Sequence, residues 1–186
     1  GIVVTSTATL SGADAANYSL TQPTGLTADI IAVPTFTYGN LVVNRIGTGA
    51  APLTNAANPI FLNEYTTTGT AGITVALPST TSGNVNRILN SGTATSEGQL
   101  ALSTDGQYLT VGGYDAVVGQ ASVNSTAGIQ RVIARVNSAG AIATSVMPST
   151  IHSSGFRSVV TSDGSRYWTA GNGVGVTSVL HQGNTT

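Results

Sequence analysis

Few side chains in this 186-residue chain are equipped for chemistry. There are two histidines, His152 and His181, two glutamates, Glu64 and Glu97, and no cysteine, so thiolate nucleophiles, thiolate metal sites and disulfides are all excluded. His152 precedes Asp163, and serine is abundant, so a Ser-His-Asp set is compatible with the composition. The Gly-x-Ser-x-Gly elbow that would present such a serine is missing. Paired carboxylates for glycoside cleavage would have to come from seven scattered acids, and no spacing brings two of them together. Asp105-Gly106 and Asp163-Gly164 each lie between two strand-like runs, which is the signature of a tight hairpin in which glycine accepts positive φ and aspartate bonds its own turn. Gly171-Asn172-Gly173-Val174-Gly175-Val176 lacks the sixth-position glycine, the lysine and the following helix of a phosphate loop, and reads as a bend between strands. No catalytic, cofactor or metal residue is assigned on these grounds.

Four residues are candidates for a ligand surface or for contacts between sheets. Tyr114 and Trp168 lie in or beside repeated strands, where aromatic rings pack between layers or line a sugar-binding surface. Arg131 and Arg135 flank Ile133 at even spacing, so a strand places both guanidiniums on one face. Glu97, Asp115 or a backbone carbonyl is the expected partner.

The elements that must position these residues are strands. Val, Ile, Thr and Tyr alternate with small polar residues, Gly, Pro, Asn and Asp punctuate at short intervals, and no long segment carries a helical apolar period. Two stretches nearly repeat: Leu77-Pro78-Ser79-Thr80 leading to Ser103–Gly113, and Met147-Pro148-Ser149-Thr150 leading to Thr161–Gly171. Asp105 and Asp163 are 58 residues apart, Pro78 and Pro148 70, so the period is loose. Recurring strand, turn and strand at this spacing predicts an array of small antiparallel sheets. Strands are expected over 40–46, 59–65, 73–77, 98–103, 107–112, 129–136, 141–147, 156–161, 165–170 and 174–180. Residues 1–33 are expected to form a separate unit with strands over 1–4, 18–21 and 26–31, too few to bury a core.

Two resemblances follow from these residues. Leu10-Ser11-Gly12-Ala13-Asp14-Ala15-Ala16-Asn17-Tyr18-Ser19-Leu20 resembles the closing motif of the MBG/YDG-type β-sandwich repeats of large bacterial surface adhesins. That resemblance implies that 1–33 is the C-terminal part of such a sandwich. From about Gly39 onward the chain resembles exported bacterial β-propeller proteins whose blades carry Ser-x-Asp-Gly hairpins ending in Gly-Gly-Tyr, as in Ser103–Tyr114. The implied architecture is all-β: an incomplete propeller-like array of antiparallel four-stranded blades over 34–186, preceded by the last strands of a sandwich repeat. A closed propeller takes at least four blades, and two and a part are countable here, so neighbouring chains or further blades of a longer protein are expected to complete the array.

Composition narrows function. Only 7% of residues are charged, against about 25% in an average soluble domain, and all six basic residues are arginine. A net charge of -1 leaves no electrostatic footprint for nucleic acid, and no apolar run is long enough to span a bilayer. The chain begins at Gly1 without a leader, so it is expected to be a processed or excised part of something longer. A lysine-free, hydroxyl-rich surface repels copies of itself weakly, which favours packing with itself or with a polysaccharide. The expectation is a structural or adhesive component of a bacterial surface or extracellular assembly, working as a homo-oligomer or filament, with no cofactor. A carbohydrate-binding propeller module and a polysaccharide-degrading enzyme are the alternatives.

Overall fold

A computed structural model describes residues 2–3, 5–25, 27–28, 35–181 and 184–185. The chain divides into two compact units, Gly1–Val33 and Pro34–Thr186.

In the first unit β1 (Ile2–Val3) pairs antiparallel with β2 (Thr27–Ala28), and a 3-10 turn spans Ala15–Asn17. The strand expected over 18–21 is not formed. Tyr18 and Leu20 are exposed, and none of residues 5–25 is buried, so these residues offer no apolar face for such a strand to cover. Of the strand expected over 26–31, only Thr27–Ala28 falls within the described residues.

The second unit continues with β3 (Leu41–Ile46), β4 (Ala57–Asn58), β5 (Ile60–Tyr65), β6 (Ala71–Ala76), β7 (Asn90–Ser91), β8 (Ala101–Leu102), β9 (Tyr108–Tyr114), β10 (Arg131–Asn137), β11 (Ile142–Met147), β12 (Ser154–Thr161), β13 (Arg166–Asn172), β14 (Gly175–Leu180) and β15 (Asn184–Thr185). It is all-β, and every pairing is antiparallel. Three principal sheets form, ordered β3-β5-β6, β8-β9-β10-β11-β15 and β12-β13-β14, with a small β4-β7 ladder beside them. Among the described residues none closes into a barrel, and only the central sheet reaches the four consecutive strands expected of a blade; the other two stop at three. The strand expected over 98–103 shrinks to Ala101–Leu102, because Gly98 sits at φ +69, outside strand geometry, against the side chains of Asn44 and Asn90.

The central sheet lies between the other two. On one face Val111, Val132, Ala134 and Val136 pack with Ile60, Leu62 and Val75 of the first sheet. On the other, Tyr114, Ile133 and Met147 pack with Phe156, Val159 and Tyr167 of the third. That double burial explains why Arg131–Val136 is buried nearly without interruption rather than at alternate residues. The outer sheets alternate because each covers one face only: in β13 Tyr167 and Thr169 are buried while Arg166 and Trp168 are exposed. In β9, Gly112 and Gly113 face opposite layers. A Cβ at Gly112 would lie 2.7 Å from the Phe156 ring, and one at Gly113 2.6 Å from Ile88. Consecutive glycines thus let both neighbouring layers approach the middle strand.

The repeated hairpins share their turn chemistry. Asp105 Oδ1 accepts the Gln107 N–H (3.0 Å) and the Ser103 hydroxyl (2.6 Å), and Asp163 Oδ1 accepts the Ser165 N–H (2.9 Å) and hydroxyl (2.6 Å). Gly106 and Gly164 take φ +71 and +78. Both Asp-Gly pairs are therefore turns.

Candidate functional site

Chemistry-bearing side chains gather between the central and third sheets. Arg131 and Arg135 leave the same face of β10, as their spacing requires, but do different things. Arg131 is 1% exposed, its Nε donates to the His152 carbonyl (2.8 Å), its Nη1 donates to the Ile129 carbonyl, and its guanidinium sits 5.0 Å from the centre of the Tyr114 ring. Arg135 stacks on Tyr108 at 4.7 Å and donates from Nη1 to the Gly164 carbonyl (2.7 Å) in the turn of the neighbouring hairpin. Its partner is a backbone carbonyl, and Asp115 pairs instead with Arg87 at 2.6 Å.

Tyr114 is wholly buried, so it cannot line an exposed sugar-binding surface; its place is the contact between sheets. The hydroxyl accepts the Phe156 N–H (2.8 Å) and bonds the Glu97 carboxylate, and burial pushes its pKa up. Desolvation likewise raises the Glu97 carboxyl above the usual range, against the hydrogen bond from Tyr114. His152 adopts φ +56, a left-handed conformation rare outside glycine, with its ring fully buried. The ring stacks on Phe156 at 5.4 Å, and its Nε2 shares a 2.9 Å hydrogen bond with Thr169. Burial first, then the nearby Arg131 charge, lowers its pKa, which keeps it neutral. Gly171 makes room for this ring, since a Cβ there would fall 2.7 Å from it. His181 joins the same seam, its Nδ1 lying 3.1 Å from Ser145 Oγ and 3.0 Å from the Tyr167 hydroxyl, and burial lowers its pKa too.

Glu97, Tyr114, Arg131 and His152 thus converge, whereas Arg135 belongs to a separate clasp. The set has the composition of an acid–base site, but Tyr114, Arg131 and His152 are sealed from solvent; the Tyr114 hydroxyl and Arg131 Nε hold the backbone of Phe156 and His152, and His152 Nε2 holds the Thr169 hydroxyl. It is built to join layers rather than to admit a substrate. Among the described residues no three His, Cys, Asp or Glu side chains cluster as metal ligands, and no helix is long and apolar enough to cross a membrane.

Two further features face solvent. Trp168 is 41% exposed on the outer face of the third sheet, flanked by Val160 on β12 and by Val176 and Leu180 on β14, all exposed. Near the start of the second unit, a cavity of about 350 Å³ is lined by Phe36, Tyr38, Asn40, Tyr108, Gln107 and Asn137 among others. Beside it lies Glu64, buried in β5, which accepts the Thr37 N–H (2.5 Å), the Asn40 amide (3.0 Å) and the Ile73 N–H (3.2 Å). These donors, Thr37 foremost, hold its carboxyl below the usual range despite burial. Sequence reasoning gave Glu64 no role; its one signal is a lone acid at a core-facing position between Leu62 and the strand end.

Comparison with known proteins returns no matching family profile, no similar curated protein and no similar solved structure.

Proposed function

We propose that the chain is a structural, self-associating module of an extracellular bacterial assembly. Its three packed sheets act as blades of an incomplete propeller-like array that neighbouring sheets extend. The observation that carries this reading is the outer face of β12-β13-β14. Val160, Trp168, Val176 and Leu180 are 48%, 41%, 73% and 59% exposed on one side of a single sheet. Superposing Asp163-Gly164 on Asp105-Gly106 puts Trp168 at the place of Thr110 and Val176 at that of Ile133. In the central sheet those two positions meet the next layer: Thr110 Oγ1 donates to the Val159 carbonyl (2.8 Å), and Ile133 is buried against Phe156 and Val159. The third sheet therefore offers to solvent the face that its counterpart uses for stacking. At the other end of the stack Leu41 and Val43 are exposed on β3, beside Phe61 with Arg45 at 4.2 Å from its ring centre. An array open at both ends buries these faces by taking up further sheets, from copies of itself or from a longer polypeptide.

Light scattering at micromolar concentration tests the reading. Masses that are multiples of 18.6 kDa and grow with concentration are expected, and a strictly monomeric folded species contradicts self-association.

A second reading, carbohydrate binding, draws on the 350 Å³ cavity, whose tyrosines and uncharged amides suit a neutral, hydroxyl-bearing ring. A glycan array without a hit for the chain removes it. A polysaccharide-degrading enzyme has weaker support, because in the cluster of Glu97, Tyr114, Arg131 and His152 the Tyr, Arg and His are closed to solvent.

A further inference from the structure

The third sheet lacks a strand that its counterpart has. The hairpin β13-β14 corresponds to β9-β10: Trp168 pairs with Ser178 as Thr110 pairs with Arg135, and Arg166 with Leu180 as Tyr108 with Asn137. On its far side β10 is bordered by β11, with Ala134 opposite Thr144 and Ile133 opposite Ser145. On the far side of β14 no strand is present among the described residues. The chain beyond β14 does not return to fill that place, because β15 pairs with β11. The open edge, Gly-Val-Thr-Ser-Val-Leu, carries no charged residue and no proline, the devices that ordinarily keep an edge from pairing.

A strand of the right type exists in the same sequence. Where β11 reads Ile-Ala-Thr-Ser-Val-Met over 142–147, residues 3–8 read Val-Val-Thr-Ser-Thr-Ala, with Thr-Ser at the same two central places. Thr5–Ser11 belong to no strand and, Ser6 apart, are exposed; of their backbone groups the Ala8 carbonyl accepts the Gln22 amide. β11 shows why this composition suits the place: Ala143, Thr144 and Ser145 are all buried, small enough to lie between layers.

We propose that the free edge of β14 takes residues 5–8 of a second copy of this chain as its fourth strand, antiparallel, with Thr5 opposite Thr177 and Ser6 opposite Val176. The proposal rests on the self-association reading and names its contact. Main-chain hydrogen bonds supply the attraction, and alternate side chains set the register: Thr5 and Thr7 turn toward the core side of the sheet, and Ser6 and Ala8 share the outer face with Val176 and Ser178. Each copy carries one such segment and one such edge, so the contact is head-to-tail and propagates into a ring or a filament.

The absence of cysteine makes disulfide cross-linking a direct test. A chain carrying Ser6→Cys is mixed with one carrying Val176→Cys under mild oxidation, with Thr9→Cys plus Val176→Cys as the off-register control. A dimer from the first pair at least tenfold faster than from the control is expected, as is a ladder of multimers from the chain with both Ser6→Cys and Val176→Cys. Equal rates for the two pairs overturn the register. A doubly substituted chain that closes only on itself overturns the second copy as occupant. Ser6→Pro/Ala8→Pro, in a segment outside any strand, removes the two N–H donors that this register turns toward β14 and is expected to abolish multimers without moving the thermal transition of the second unit. Multimers that persist in that variant overturn the strand addition while self-association stands. A wild-type chain that is monomeric at every concentration overturns both.

Discussion

At the scale of single residues, Gly164 does two things that its twin Gly106 does not. Both sit near φ +75 in an Asp-Gly turn, where an L side chain costs about 1–2 kcal/mol. Around Gly106 a Cβ meets open space, but at Gly164 it would lie 2.5 Å from Arg135 Nη1 and 2.9 Å from the Tyr108 ring. Gly106→Ala is therefore expected to cost about 1–2 kcal/mol, and Gly164→Ala about 1–3 kcal/mol more through overpacking of the clasp. Urea melts of both variants check this, and equal losses contradict it. The histidines give a pH signature. Both are held neutral by burial, so their contribution to stability is present above the ordinary histidine value of about 6.5 and is lost as pH falls through that value toward the depressed folded one. Glu64, with its lowered pKa, adds a loss at more acidic pH, whereas Glu97, with its raised pKa, favours the folded state as pH falls and opposes it. Thermal melts are expected to fall between pH 7 and 5 in the wild type and to flatten in His152→Asn/His181→Asn. An unchanged slope in that variant would assign the acid sensitivity elsewhere.

At the scale of elements, the middle strand of the stack is the part that tolerates least. Gly112→Ala and Gly113→Ala have ordinary backbone angles, yet each pushes a methyl group into a different neighbouring layer. Each is expected to cost about 1–3 kcal/mol, and a double variant should lose close to the sum, because the two methyl groups act on opposite faces. Denaturant midpoints measure it, and neutral single variants would mean that the layers are looser than described. Most of this architecture was legible. Alternating β-branched residues and Asp-Gly turns mark the strands from Leu41 to Leu180, and the even spacing of Arg131 and Arg135 correctly places both on one face. What was not legible depends on contacts distant in sequence. Nothing local says that His152 turns left-handed to meet Arg131 and Thr169, or that Glu64 holds Thr37 and Asn40. Residues 18–21 are strand-forming but find no partner strand among the described residues, so their local propensity goes unanswered.

At the scale of the whole molecule, the account turns on the faces left open. A central sheet covered on both sides and outer sheets covered on one leave exposed apolar side chains on the outer faces of the stack, which the proposed association covers. Val160→Lys places a charge on the outer face of β12 without touching the core, since the side chain is 48% exposed. It is expected to shift the concentration of half-association upward at least tenfold with the melting temperature nearly unchanged, as sedimentation velocity and a thermal scan would show. Equal association of this variant and the wild type would acquit that face. The most direct measurement uses the chain's sole tryptophan, Trp168, which stands on the same face at 41% exposure. Its fluorescence emission, followed from nanomolar to high micromolar protein, is predicted to move to shorter wavelength along a saturable curve as neighbouring sheets cover the ring. A water-exposed emission maximum that stays constant over the whole range would contradict the account.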